Sequence, residues 1–128
     1  MNIEALDAEL RDVMAESETA LRMAFGSARL AATTKQETAR IEAAVKMQAH
    51  MSGAIDGKNT ETREAQMFAC MEGNETLMAA RKALAVAEEA DQVDRNEVEV
   101  LRMKRGIYHD LVTLYAAAMS ANGREVQP

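Results

Sequence analysis

From Ile3 onward the apolar residues Ile3, Leu6, Leu10, Val13, Met14 and Leu21 recur at steps of three and four, the spacing of one helical face. The face thins to Ala24, Ala28 and Ala31, then strengthens at Ile41, Ala44, Val45, Gln48 and Met51. One helix is predicted over 2–52, with Gly26 the point at which it would bend. Lys46 and His50 put cations in its last turns, where they favour the negative end of the helix dipole, and Gly53 can adopt the left-handed cap.

A turn follows, Ala54-Ile55-Asp56-Gly57-Lys58-Asn59-Thr60. Asn59 or Thr60 can cap a new helix, and Glu61 and Glu64 suit its positive first turn. Downstream, Met67, Met71, Leu77, Met78, Leu84, Val98, Leu101, Ile107, Tyr108, Leu111, Val112, Leu114 and Tyr115 keep a broad helical stripe until Asn122-Gly123 stops it. The second helix is predicted over 60–121. Its weak point is Asp91–Glu97, where Asp94 and Glu97 resemble a capping box that would start a third helix.

Composition agrees with helices. Ala, Glu, Met, Leu, Arg, Lys and Gln fill the chain at the expense of aromatic residues, which number four, and the single proline is Pro128, so no ring interrupts a helix. The predicted fold is all-α, a long antiparallel helical hairpin of about 2–52 and 60–121. The alternative is a compact four-helix bundle broken at Gly26 and near Asp91–Asn96. Residues 1–121 form one helical domain and 122–128 a short C-terminal tail.

Ala buries little area, so the core of such a hairpin is thin. Met14, Met23, Met47, Met51, Met67, Met71, Met78, Met103 and Met119 cannot all face one narrow seam. The expected partner is therefore the chain itself, as a homodimer or tetramer that buries them between hairpins. A folding axis near residue 56 brings acidic residues of 1–20, such as Glu9 and Asp12, opposite Arg102, Lys104 and Arg105. Exposed pairs are worth only about 0–1 kcal/mol each, so this charge pattern selects register more than it stabilises.

No apolar run reaches the roughly 20 residues that span a bilayer, and the N-terminus lacks the pattern of a signal peptide. A cytoplasmic protein with no membrane contact is expected. The lone Cys70 reads as a structural thiol.

Candidate chemistry is sparse. The same folding axis places His109 opposite Ile3, far along the first helix from His50, so the two histidines cannot share a metal. The pairs Glu61/Glu64, Glu72/Glu75 and Glu88/Asp91 lack the Glu-x-x-His companions of a di-iron site, since Met47 and Gly106 precede the histidines at that spacing. Asp56-Gly57-Lys58-Asn59 lacks the alternating acids of a calcium loop, and no phosphate loop, dinucleotide fingerprint or nucleophile elbow is present. The expectation is a protein without catalytic activity, cofactor or metal.

The net charge of −6 disfavours nucleic acid, because phosphate neutralisation supplies most non-specific affinity. Residues 21–50 run against that balance, with Arg22, Arg29, Lys35, Arg40 and Lys46 opposed only by Glu37 and Glu42. Those five make a nucleic-acid-binding accessory protein the alternative. The acidic block Glu88, Glu89, Asp91, Asp94, Glu97 and Glu99 suggests a second one, an acidic mimic of nucleic acid.

The segment Ile55-Asp56-Gly57-Lys58-Asn59-Thr60-Glu61-Thr62-Arg63-Glu64-Ala65 resembles one in small helical proteins encoded by bacteriophages and prophages, in which an acidic-Gly-Lys-Asn turn precedes a charged helix start. The resemblance covers about a dozen residues and implies an origin rather than an activity, with the host cytoplasm as location. In physical terms Gly57 permits the turn, Asn59 caps, and Arg63 can reach back to turn carbonyls or to Asp56. Asp56, Gly57, Lys58, Asn59 and Arg63 are the candidate partner-contact residues at the tip. The expected function is that of an oligomeric interaction or assembly protein that binds a host or phage protein.

Overall fold

The computed structural model describes residues 2–126, with side chains over 2–122. Three helices account for nearly all of it: α1 (Ile3–Met51), α2 (Thr60–Glu72) and α3 (Glu75–Val126). Among the described residues there is no strand, and no helix is long and apolar enough to cross a membrane.

Two of the expected interruptions are absent, and an unexpected one is present. Helix α1 passes through Gly26, and α3 passes through Asp91–Glu97, so the four-helix alternative with breaks at those points does not hold. A single helical glycine costs about 1 kcal/mol relative to alanine, too little to end a long helix by itself. For the same reason Asn122-Gly123 does not stop α3, which continues to Val126. Of the expected tail, Gln127 and Pro128 lie outside the described residues.

The predicted second helix is instead divided at Gly73-Asn74. Gly73 closes α2, its amide donating to the Ala69 carbonyl at 3.0 Å, and the Asn74 side chain accepts from the Leu77 amide at 2.9 Å to cap α3. An asparagine cap followed by Glu75 in the first turn is an ordinary helix start, masked in the sequence by the apolar stripe that continues across it.

The chain divides into two compact units. The first combines residues up to Phe25 with those from Gln92 onward; the second is Gly26–Asp91.

In the first unit, Leu6, Val13 and Ala20 of α1 and Leu101 of α3 are buried, with Ile3, Leu10, Ser17, Ala24, Asp94, Val98, Tyr108 and Val112 half-buried around them. The α1 positions alternate at three and four residues in a strict seven-residue repeat, the signature of knobs-into-holes packing. The helices meet in opposite directions. Glu9 of α1 accepts a hydrogen bond from Tyr108, whereas Ala15–Met23 share a groove with Asp94–Leu101.

In the second unit, Ala31, Thr38 and Ala49 of α1 and Leu77, Ala87 and Asp91 of α3 are buried. The Thr38 hydroxyl lies 2.8 Å from the Thr34 carbonyl and 3.3 Å from the Ala80 carbonyl, so a polar group in the seam is satisfied on both helices. Arg81 extends between Glu42 at 3.9 Å and Glu72 at 3.7 Å. Helix α2 has no buried residue; its half-buried Gln66, Met67, Cys70 and Met71 form its inner side.

The register differs from the one expected. An axis at residue 56 places Glu9 opposite Met103 and Thr38 opposite Asn74, but their partners are Tyr108 and Ala80. The turn folds back on α2, with the Asp56 and Gly57 amides donating to the Gln66 side chain. The expected charge pairing changes with it: Arg102 lies 3.6 Å from Glu99 on its own helix, and Arg11 pairs with Asp7 at 2.8 Å.

Candidate interaction surfaces

The turn lies within the second unit. Gly53 closes α1 with φ +78, the left-handed conformation that glycine adopts without a steric penalty. Asn59, in extended conformation, caps α2 by accepting from the Thr62 amide at 2.8 Å, and the Arg63 guanidinium donates back to the Asn59 carbonyl at 3.3 Å. Gly57 is required for space: a Cβ there would stand 2.7 Å from the Thr62 methyl and 3.1 Å from the Arg63 nitrogen.

The residue that closes the turn was not among the candidates. Gln66 accepts from the backbone amides of Asp56 at 3.1 Å and Gly57 at 2.9 Å, and its own amide donates to the Asp56 carboxylate at 2.7 Å. Of the five candidates, Asp56 and Gly57 are thus joined through Gln66, Asn59 and Arg63 belong to a second hydrogen-bonded group with Thr62, and Lys58 is exposed. These groups spend part of their hydrogen-bonding capacity on each other. A glutamine two turns into a helix carries no turn signal in sequence.

The basic candidates fare differently. Arg40 is held by Glu37 through two bonds, at 3.0 and 2.5 Å; this pairing raises the Arg40 pKa and lowers that of Glu37. Lys46 pairs with Glu42 at 3.2 Å. Both acids that oppose the basic stretch are therefore placed against its members, and the excess charge is left on Arg22, Arg29 and Lys35, all exposed.

Apolar exposure is the dominant surface feature. Among the described residues, seventeen large apolar or aromatic side chains are at least 37% exposed. On α1 they are Met14, Leu21, Met23, Phe25, Leu30, Met47 and Met51; on α3 the main run is Val86, Val93, Val100, Met103, Ile107, Leu111 and Leu114. Met67, Met71 and Met78 are half-buried. The buried apolar side chains of the seams are Leu6, Val13, Leu77 and Leu101 together with the small Ala20, Ala31, Ala49 and Ala87, so half of these positions bury little area.

The grooves beside the seams are shallow. One of about 440 Å³ in the first unit is lined by Glu16, Met23, Asp94, Glu97 and neighbouring residues, and one of about 500 Å³ in the second is mostly alanine with Leu30 and Val86. Among the described residues no three His, Cys, Asp or Glu side chains are grouped so as to hold a metal ion. Cys70 is a half-buried free thiol. The chain matches no family model, no curated protein and no solved structure.

Proposed function

We propose that this chain is a non-enzymatic helical-hairpin assembly protein that acts by binding copies of itself and, through the assembled form, another protein. The observation that carries the reading is apolar exposure: among the described residues eight apolar side chains are buried, four of them alanine, while seventeen large ones are exposed. Soluble monomers rarely expose apolar patches larger than a few hundred Å². Burying a large aliphatic side chain is worth about 1.5–3 kcal/mol. Covering about eight half-exposed ones on each of two copies contributes on the order of 20 kcal/mol, against an association cost of about 4–15 kcal/mol.

The hydrogen-bonded turn supports an interaction role at the hairpin tip, and its resemblance to phage-encoded proteins supports an origin of that kind, acting in the host cytoplasm. A nucleic-acid role is less well supported, because Arg40 and Lys46 are already paired with acids.

The test is the concentration dependence of thermal unfolding, since a folded oligomer is stabilised by mass action and a monomer is not. The midpoint followed by circular dichroism should rise with chain concentration. A midpoint that stays constant over a hundredfold range contradicts the proposal.

A further inference from the structure

Val93, Val100, Ile107 and Leu114 recur on α3 at intervals of seven, and Val86 precedes them at the same interval. Seven residues are close to two helical turns, so the four side chains of the first unit form one line. They are 57–67% exposed, unlike Leu101, which is buried one position away. Met103, 67% exposed, follows Val100 by three and sets up the alternation of three and four that defines a coiled-coil seam. Helix α3 thus carries two such rows: one engages α1, and the other faces away from it.

We propose that this outer row is the seam for a second copy of the chain, packed antiparallel, α3 against α3, with Val100 of each copy beside Met103 of the other. The inference rests on the self-assembly reading and specifies its surface. Charge favours both the occupant and the direction. Glu97 and Lys104 flank the row on one side, and in the antiparallel arrangement Glu97 of each copy meets Lys104 of the other. Asp110 falls within the row, three residues after Ile107; a parallel copy would set the two Asp110 carboxylates side by side in the seam, whereas the antiparallel copy separates them.

The experiment compares the full chain with a Val100→Glu/Ile107→Glu double variant by sedimentation, and places a spin label at Thr113→Cys in a Cys70→Ser background. The wild-type chain should sediment as a dimer or a multiple of it, and the double variant should shift to a monomer with unchanged helical content, because both positions lie outside the intrachain core. Label separation should be about 35 Å, from the helical rise of 1.5 Å per residue. A double variant that remains assembled overturns this seam while leaving self-assembly intact. A label separation near 10 Å, on the order of one interhelix spacing, overturns the antiparallel direction. A monomeric wild-type chain overturns the seam and the assembly reading together.

Discussion

The Tyr108 hydroxyl donates to the Glu9 carboxylate, joining α3 to α1 in the first unit and raising the Tyr108 pKa, chiefly through that hydrogen bond and then through the carboxylate charge. A raised folded pKa means that the contact stabilises the fold below the ordinary tyrosine value of about 10, and that this contribution is lost as pH rises through the folded value. In a Tyr115→Phe chain, where Tyr108 is the remaining tyrosine, Glu9→Gln should move the tyrosinate absorbance titration to lower pH. An unchanged titration would show that the two residues do not meet.

At the turn, the space around Gly57 is the sharpest constraint. Gly57→Ala places a methyl group 2.7 Å from the Thr62 side chain and 3.1 Å from the Arg63 backbone nitrogen, and should lower stability by about 1–3 kcal/mol, the usual cost of overpacking. Gln66→Ala should cost a similar amount, because it removes three hydrogen bonds, each worth about 0.5–1.5 kcal/mol. Urea denaturation measures both, and a change below the error of the method in either variant would refute the described turn.

The second unit depends on Leu77, which is fully buried. Leu77→Ala should destabilise by about 2–5 kcal/mol through lost transfer energy and the cavity left behind. Gln48→Ala, at an exposed position of α1, should change stability by no more than about 0.5 kcal/mol. Equal effects in thermal melts would contradict the assigned inner face.

How much of this was legible in the sequence depends on the range of the interaction. The caps at Gly53 and Asn59 are local chemistry, and the structure places both where turn residues and helix-end charges indicate. The inner face of α1 at Ile3, Leu6, Leu10 and Val13 follows from spacing alone. Met14, Leu21, Ala28, Ala44, Gln48 and Met51, grouped with that face, are exposed, because the seven-residue repeat, not the local run, determines what points inward. The Gly73-Asn74 joint was hidden by apolar residues that continue on both sides of it. Register was the least accessible property: in the turn Gln66 reaches across ten residues to Asp56, and neither residue type announces that pairing.

Sedimentation equilibrium of the 128-residue chain tests the central claim most directly. The account predicts a mass of at least twice the 14.0 kDa chain at micromolar concentration, falling only on dilution. A single species of 14.0 kDa at every concentration would mean that the exposed Met, Val and Ile side chains remain in water, and would contradict it.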